Sequence, residues 1–346
     1  MLLRKLLLFA TRRNLRGLLQ RKILVPLSLI FPLVLFLHTD LSPDLWFLYW
    51  GKFENISCHY EKSESSSPAI PVLGNDFEPT ASSIFFIETS CRGDLNPRQA
   101  CSIESAARAH KDWQVHVFFV APVVPKVISF LGSNLPNFKP WKLNLLEFAK
   151  YTPLEDMVTS GALNRTRWRV SHTSDVLRYL TLYKWSGIYL DMDMVVAKNF
   201  KSLVRNFAAR EDTEHVSAGI VGFSNDELGR RIAVAAVRDI MENYRGDTWG
   251  QNGPGVITRV ARRMCGLRQV EKIKSQCSFT GFEVYGPEYF YPIRWQDAKM
   301  YFESSDLEIE DSAYGYHVWN YHTRKYKGPL PRYPESVYVP ASSEYI

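Results

Sequence analysis

The chain has 346 residues, of which 46% are hydrophobic and 23% charged, with a formal net charge of +6. This balance excludes a disordered chain, a collagen and a short disulfide scaffold, and it supplies enough apolar mass for one large domain or two small ones. Seven basic side chains and no acid lie within residues 1–22, so the remaining 324 residues carry a charge of −1 and no nucleic-acid partner is expected.

An uncharged, mostly apolar run at residues 23–39 follows the basic tail. It is marginally long enough to cross a bilayer, for which about 20 residues are usual. Since positive charge stays cytosolic, the pattern predicts a cytosolic tail over 1–22, a transmembrane signal-anchor over 23–39 and a lumenal remainder, as in a type II membrane protein. A cleaved signal peptide and a buried core helix are the alternatives; Pro26 and Pro32 disfavour the second.

Residues 40–83 are rich in Ser and Pro and show no sustained periodicity, which predicts a lumenal stem. N-glycosylation sequons begin at Asn55, within this segment, and at Asn164. Both sequons follow the predicted anchor, which fits a secretory compartment.

All five cysteines also follow the predicted anchor, as expected in an oxidising lumen. Five cysteines permit at most two intrachain disulfides, and short sequence separations favour two pairs. These pairs are Cys91 with Cys101 and Cys265 with Cys277. Cys58 would then be left over, either as an unpaired buried thiol or as a bridge in a homodimer.

Predicted strands and helices alternate along residues 84–346. The first three elements are a buried strand at 84–89, a helix from Pro97 to about Lys111 with Asn96 as N-cap, and a strand at 114–120. The later elements are a helix that ends at Gly187, a strand at 188–190, a helix at 228–240 and a helix from 254 to about 264. This order predicts one α/β domain with a mixed, mainly parallel sheet.

The strongest chemical signal is the pair Asp191 and Asp193 at the carboxyl end of the strand at 188–190. Ligands of open α/β sheets bind at that edge. Two residues apart on an extended strand, the carboxylates share a face with Cα atoms about 6.6 Å apart. Two oxygen ligands on one face predict a site for a divalent cation.

Two other interpretations of the aspartate pair are open. A strand that ends in a solvated acidic turn is the simpler one. Phosphatases of the haloacid dehalogenase type also begin with a strand and an Asp-x-Asp pair, in which the first Asp is a nucleophile. The position of Asp191 in the middle of the chain and the lack of an obvious later lysine and acidic pair disfavour that class.

Several motifs resemble glycosyltransferase family 32, and within it the α-1,4-glycosyltransferase group. The motifs are SDVLRY at 174–179, GIYLDMD at 187–193, WGQNGPG at 249–255 and HVWN at 317–320, together with the strand at 85–90 and the helix at 101–108. The resemblance spans about residues 84 to 320 in one order. It implies a GT-A type nucleotide-sugar-binding fold, retention of anomeric configuration and a Golgi type II membrane protein.

The resemblance also implies a reaction. Galactose or N-acetylgalactosamine would move from a UDP-sugar in α-1,4 linkage to the terminal sugar of a glycosphingolipid. Negative charge develops on the departing diphosphate, and Mn²⁺ or Mg²⁺ held by Asp191 and Asp193 would neutralise it. In comparable folds a late histidine completes the metal shell, which makes His317 the third predicted ligand.

Further candidates lie on the donor side of this site. Asp175 and Arg178 are one helical turn apart and are either donor-sugar contacts, as the resemblance implies, or a surface ion pair. Glu88 and Thr89 end the first strand, where the uridine would lie. Lys325 would reach the diphosphate, or else belongs to a solvated face.

The remaining candidates are Gln251 and Asn252, which precede Gly253 in a turn. Their amides either lie beside the reacting anomeric carbon or cap the helix that follows. No residue is identified as a nucleophile, and we prefer a front-face route in which the departing phosphate oxygen accepts the acceptor's proton. A catalytically inactive sugar-nucleotide-binding or chaperone protein of the same fold is the alternative function.

Overall fold

The computed structural model describes residues 54–60, 70–74, 76–93, 95–121, 125–272, 280–303 and 311–326. The predicted cytosolic tail and the anchor predicted at 23–39 lie outside these residues. Among the residues that are described, no helix combines the length and apolar character that a bilayer crossing needs.

The described part of the chain contains a mixed sheet of seven strands. Their bounds are β1 Ser83–Glu88, β2 Gln114–Phe119, β3 Phe138–Lys142, β4 Gly187–Leu190, β6 Phe207–Arg210, β7 Val216–Phe223 and β8 Glu283–Tyr285. The order is β3-β2-β1-β4-β7-β6-β8, in which β7 is antiparallel to both of its neighbours and the other pairs are parallel. Two further strands, β5 Met194–Val196 and β9 Gly315–His317, pair antiparallel in a small second sheet. The predicted α/β class and mainly parallel sheet are confirmed.

Helices cover both faces of the sheet. Their bounds are α1 Pro97–Ala109, α2 Pro125–Asn134, α3 Leu145–Ala149, α4 Glu155–Thr159, α5 Ala162–Arg165, α6 Arg169–Trp185, α7 Glu227–Asn243, α8 Pro254–Cys265, α9 Pro287–Phe290, α10 Met300–Glu303 and α11 Asn320–Thr323. The predicted cap of α1 is confirmed, because the Asn96 side chain accepts from the backbone of Arg98 and Gln99 and the Gln99 side chain accepts from the backbone of Asn96.

Alternate side chains of β1 enter two different hydrophobic clusters. Phe85 and Ile87 lie in the cluster that includes residues of α6, α7 and α8, whereas Ile84 and Phe86 lie in the cluster that includes residues of α1 and the small sheet. In a parallel sheet that is covered on both faces, each strand has a nearly continuous run of apolar residues, which explains the sequence of β1. Where β4 passes beside β1, Gly187 has a φ of +104°, and a Cβ there would lie 2.8 Å from the Phe85 ring.

The strand order reverses beside β1. The chain adds β2 and β3 on one side of β1 and then returns to place β4 on the other side, with β1 and β4 parallel. Such a topological switch point leaves a crevice at the carboxyl ends of the two strands. Glu88 ends β1 and Asp191 follows β4, so both predicted site segments meet at this crevice.

The disulfide pattern differs from the prediction. Cys58 and Cys91 are bonded, with Cα atoms 5.7 Å apart, and Cys101 is a free, buried thiol. The predicted Cys91–Cys101 pair and the left-over Cys58 are therefore wrong. Cys101 packs from α1 into the core of the domain, so its short sequence separation from Cys91 does not bring the two sulfurs together. Cys265 is disulfide-bonded, and its predicted partner Cys277 lies outside the described residues.

The described parts of the segment predicted as a stem, 54–60, 70–74 and 76–82, contact the domain. Next to the bonded Cys58, the His59 side chain is buried and its Nε2 bonds the carbonyl of Thr89 at 2.8 Å. Further along, the backbone of Leu73 donates to the carbonyl of Lys142 at 2.8 Å, beside β3, and Phe77 is buried. These contacts connect the segment to the ends of β1 and β3.

Candidate active site

The turn after β4 positions the two aspartates. The backbone N–H of Asp191 donates to the carbonyl of Gly219 at 2.9 Å, and the carbonyl of Asp191 accepts from Met194 at 2.9 Å. Asp193 follows in the same turn, and its carbonyl accepts from Val318 at 3.0 Å. The small sheet sets this last contact, because β5 begins directly after the turn and pairs with β9.

The pairing of β5 with β9 places Met194 opposite His317, which brings the predicted third ligand to the aspartates. His317 Nε2 lies 3.2 Å from Asp193 Oδ1 and 3.6 Å from Asp191 Oδ2. One ligand atom of each of the three side chains lies within 4.8 Å of the other two. Two carboxylates and one imidazole are a donor set that suits Mn²⁺.

The net charge of Asp191, Asp193 and His317, which we call the triad, depends on whether His317 is protonated. Burial lowers the pKa of His317, but the neighbouring carboxylates of Asp193 and Asp191 outweigh it and raise the pKa to about 10. Burial raises the pKa of Asp191, but Arg178 and His317 outweigh it and hold the pKa at about 2. Without a cation, the positive charge between the carboxylates is therefore an imidazolium.

Cation binding is expected to release about one proton at pH 7. A metal ligand must be neutral imidazole, and the pKa of His317 near 10 means that its proton has to leave. The affinity for Mn²⁺ should then rise about tenfold per pH unit between pH 6 and 9. Calorimetric titration in two buffers of different ionisation enthalpy measures the proton count, and His317→Gln is the control that should release none. Binding to the unsubstituted chain without proton release would contradict the ligand assignment.

The space beside the triad is shaped by Gly219 on β7. A Cβ at this position would lie 3.0 Å from Asp191 Oδ2, 3.2 Å from His317 Cδ2 and 2.9 Å from the hydroxyl of Tyr291. That hydroxyl is buried and makes no hydrogen bond among the described residues, although the Ser217 side chain lies close to it. The Asp191 carboxylate, the His317 imidazole and the Tyr291 hydroxyl thus converge on the space left open by the glycine at position 219. A bound cation and its ligands would fit there.

Gly219→Ala is expected to lower the affinity for Mn²⁺ about tenfold or more without unfolding the chain. The added methyl group crowds the Tyr291 hydroxyl, the Asp191 carboxylate and the His317 ring, each of which has to shift by a few tenths of an ångström, and ligand orientation affects metal affinity to this degree. The measurement is Mn²⁺ binding together with thermal unfolding. Gly132→Ala on α2 is the matched control, because no described atom lies within 4 Å of that added Cβ. Equal affinity in the two variants would contradict this description.

Asp175 and Arg178 form a buried ion network with Asp191, not a surface pair. Arg178 is 5% exposed and Asp175 is 7% exposed. The Arg178 guanidinium lies 3.1 Å from Asp175 Oδ1 and 3.0 Å from Asp191 Oδ1, and it also donates to the carbonyl of Ala218 at 2.7 Å. Arg178 thereby connects the predicted donor side of the site to the predicted metal ligand.

Tyr189 is a member of this network that the sequence reasoning missed. Its hydroxyl donates to Asp191 Oδ1 at 2.8 Å, and the Arg178 guanidinium carbon lies 4.6 Å from its ring centroid. The signal was present, because residues two apart on a strand share a face and Tyr189 precedes Asp191 by two. Gly219 and Tyr291 were also missed, and they reach the site only through sheet pairing and packing.

Glu88 and Thr89 lie at the carboxyl end of β1, beside the switch point. Glu88 is buried and its Oε1 accepts from the backbone of Ser90 at 3.0 Å. The Thr89 hydroxyl donates to the carbonyl of Val170 at 3.0 Å. Both side chains thus have structural contacts, and their placement near a uridine stays a prediction.

The turn before α8 lies against Asp175. A Cβ on Gly253 would overlap the Asp175 carboxylate. The Asn252 side chain accepts from the backbone N–H of Arg245 at 2.9 Å and donates to its carbonyl at 2.7 Å. Gln251 donates to the carbonyl of Asn243 at 3.3 Å. Both amides therefore hold the turn together, in a position next to the ion network.

Lys325 lies beyond α11 and is exposed. Its ammonium group is 5.1 Å from the ring centroid of Tyr326. Its role at a diphosphate stays a prediction.

Comparison with known proteins identifies the class to which this fold and site belong. Residues 96–210 match the model of the glycosyltransferase sugar-binding region containing the DXD motif, and residues 225–342 match the alpha 1,4-glycosyltransferase conserved region. The first match contains Asp191 and Asp193, and the second contains His317. The chain is thus a glycosyltransferase of the DXD type.

Similar proteins define the family. Lactosylceramide 4-alpha-galactosyltransferase of Homo sapiens is 32% identical over 282 residues, which are 78% of this chain and 76% of that protein. Alpha-1,4-N-acetylglucosaminyltransferase of Homo sapiens is 28% identical over 249 residues, 69% of this chain and 71% of that protein. The identity and coverage of the galactosyltransferase show that the chain belongs to the alpha-1,4-glycosyltransferase family, which removes the phosphatase alternative. Among solved structures, the PaToxG glycosyltransferase gives a TM-score of 0.39 at 19% identity, over 54% of this chain and 70% of that one.

Proposed function

We propose that the chain is a retaining hexosyltransferase that depends on a divalent cation. It moves galactose or N-acetylgalactosamine from a UDP-sugar in α-1,4 linkage to the terminal sugar of a glycosphingolipid. The observation that carries the proposal is the convergence of Asp191, Asp193 and His317 at the carboxyl end of β4. The name of the human galactosyltransferase relative supports a glycolipid acceptor, and the N-acetylglucosaminyltransferase relative shows that donors differ within the family.

The strand order supports a GT-A type nucleotide-sugar-binding fold. The crevice between β1 and β4 is where a nucleotide is bound in sheets with such a reversal. Glu88 and Thr89 border this crevice on the β1 side, and Asp191 borders it on the β4 side. We therefore place the uridine towards β1 and the diphosphate towards the aspartates.

The roles of the side chains follow from their positions. A Mn²⁺ or Mg²⁺ bound by Asp191, Asp193 and His317 would stabilise the negative charge of the departing UDP. Arg178 holds the Asp191 carboxylate ionised and fixed in direction, since it donates to that carboxylate and is itself immobilised by Asp175 and Ala218. The Asp175 carboxylate and the turn at Gly253 border the position that we assign to the donor sugar.

We infer that the enzyme is a single-pass type II protein of the Golgi membrane with a lumenal catalytic domain. The basic tail at 1–22 and the apolar run at 23–39 support this topology. The Cys58–Cys91 disulfide supports an oxidising compartment for the folded domain.

A screen of donors and acceptors tests the proposed function. The full-length chain in detergent with Mn²⁺ is incubated with UDP-galactose, UDP-N-acetylgalactosamine or UDP-N-acetylglucosamine and with acceptors that end in lactose or N-acetylgalactosamine. We expect an α-1,4-linked product with one of the first two donors, identified by NMR of the new linkage. Binding of UDP-sugar without turnover on every acceptor would instead support a sugar-nucleotide-binding protein that has lost catalysis.

A further inference from the structure

Three aromatic side chains beside the metal site form an exposed surface, which we call the aromatic patch: Trp295, Tyr321 and His322. Trp295 is 45% exposed and Tyr321 is 62% exposed. The rings of Trp295 and His322 are stacked with centroids 4.8 Å apart, and the Tyr321 ring meets the His322 ring edge-on at 5.3 Å. Contiguous aromatic side chains are costly to leave in water and mark binding surfaces.

Backbone contacts fix the aromatic patch to the predicted metal ligands. The N–H of Asn320, the first residue of α11, donates to Asp193 Oδ2 at 2.7 Å, and the next two residues belong to the patch. The indole of Trp319 donates to the carbonyl of Ile293 at 2.9 Å. This bond joins the segment that carries Trp295 to the residue that precedes Asn320. The patch therefore lies next to the residue that contacts Asp193.

The donor occupies the opposite side of the site in the proposed function. Asp175 and Arg178 lie buried beyond Asp191, next to the turn at Gly253. An acceptor hydroxyl has to reach the anomeric carbon from solvent, across the exposed border of the site. The aromatic patch is exposed and includes the two residues that follow Asn320, the residue that contacts Asp193, so we place it at that border.

The chemistry of the patch fits a pyranose ring. His322 stacks on the Trp295 indole, and Trp295 is still 45% exposed, so part of its surface is accessible to a ligand. A hexose presents C–H groups on one face and hydroxyls at its rim, and such a face packs on an aromatic ring while the rim stays hydrated or hydrogen-bonded. The Arg324 guanidinium, whose carbon lies 5.0 Å from the Tyr321 ring centroid, offers hydrogen-bond donors at the edge.

The surroundings favour a sugar over a membrane surface. The residues next to Trp295 in sequence are exposed and polar, namely Arg294, Gln296 and Asp297. A surface that inserts into lipid carries clustered apolar and basic side chains, and an acidic one opposes contact with anionic lipid.

We propose that the aromatic patch is the acceptor subsite, where the terminal hexose of the acceptor stacks on Trp295. This inference rests on the proposed function. It assigns the binding of the acceptor to Trp295, Tyr321 and His322, which are not among the residues proposed to bind the donor and the cation. Trp295 contributes binding to the acceptor and has no role in donor activation.

The test uses the full-length chain with Trp295→Ala and Trp295→Phe. With Mn²⁺ and the active UDP-sugar, Trp295→Ala should raise the KM for methyl β-lactoside or methyl N-acetyl-β-galactosaminide, whichever is used, about tenfold, and Trp295→Phe should restore most of the affinity. The KM for UDP-sugar, the affinity for Mn²⁺ and the slow hydrolysis of UDP-sugar by water should not change. Phe130→Ala on α2, where Phe130 is 39% exposed, is the matched control and should change none of these values.

Binding of the two methyl glycosides by saturation-transfer NMR provides a readout without turnover. Loss of the signal in Trp295→Ala supports the inference even if no donor is turned over, in which case only the proposed function fails. An unchanged acceptor KM and an unchanged NMR signal overturn the inference and leave the proposed function standing. Impaired transfer to a glycosphingolipid in phosphatidylcholine vesicles, with normal transfer to the soluble glycosides, also overturns it, because the patch would then contact the membrane.

Discussion

Asp191→Asn and Asp193→Asn are each expected to reduce sugar transfer at least about 100-fold. Either change replaces an ionised ligand oxygen by a neutral amide, so the charge that develops on the leaving diphosphate loses its counter-ion. Asp193→Asn is the cleaner of the two variants, because Asp191 also binds Arg178 and Tyr189. The measurement is kcat/KM at saturating Mn²⁺, with circular dichroism and thermal unfolding to verify the fold.

Asp239→Asn is the matched control for both variants. Asp239 is fully buried and accepts from Arg259 and Arg263, so its replacement removes a carboxylate that is paired with arginine, at a position outside the predicted metal ligands. It should lower stability and leave the turnover of the folded enzyme near normal. Near-normal turnover in both Asp191→Asn and Asp193→Asn would refute the assignment of the metal site.

Arg178→Leu is expected to destabilise the chain by about 3–5 kcal/mol near neutral pH. It leaves the buried carboxylates of Asp175 and Asp191 close together without a counter-charge. Burial already raises the pKa of Asp175 to about 6, against the opposing effect of Arg178 and with a further rise from Asp191. Without Arg178, the pKa of Asp175 should rise further and the pKa of Asp191 should rise from its low value of about 2.

The loss in Arg178→Leu should depend on pH in a defined direction. A carboxyl group whose pKa is higher in the folded state binds more protons there than in the unfolded chain, so stability falls as pH rises through the range between the two pKa values. The deficit relative to the unsubstituted chain should be largest at pH 7–8 and shrink towards pH 5. Urea unfolding at pH 5, 6, 7 and 8 measures it.

Arg245→Leu is the control for removal of an arginine from an ion pair, because Arg245 binds Asp247 on the surface. It should change stability little at every pH. A second variant, Arg178→Leu combined with Asp175→Leu, should recover part of the stability, since one of the two unpaired carboxylates is gone. A deficit of the same size at all four pH values would contradict the buried network.

The positions of Asp191 and Asp193 could be predicted from the local sequence. The strand at 188–190 is apolar and runs directly into Asp191, and residues two apart on it share a face, so the placement of both aspartates follows from the strand period. The capping box at Asn96 and the proline at the start of α8 likewise depend only on neighbouring residues. These features depend only on residues that are close in sequence, so they can be predicted from the local sequence.

Features that depend on contacts far apart in the chain could not be predicted in this way. The Cys58–Cys91 bond joins residues 33 apart, and no pattern of spacing distinguishes it from the pairs that were predicted. His317 was identified through the family resemblance, and its approach to Asp193 depends on the pairing of β5 with β9. Gly219 enters the site only because β7 pairs with β4.

The burial of Arg178 could not be predicted from its spacing from Asp175 alone. Its spacing from Asp175 is the same in a surface ion pair and in a buried one. Helix α6 nevertheless is buried on all sides, because every residue from Asp175 to Leu182, two full turns, is buried. A helix that is apolar around most of its circumference is a buried helix, and its charged residues then need buried partners.

The measurement that tests the central claim most directly is the rate of sugar transfer by the purified full-length chain after exhaustive chelation of divalent cations. Because Asp191, Asp193 and His317 converge as a ligand set, transfer should be lost on chelation and recovered when Mn²⁺ is added in excess of the chelator. Transfer at the full rate by the chelated enzyme would contradict the account.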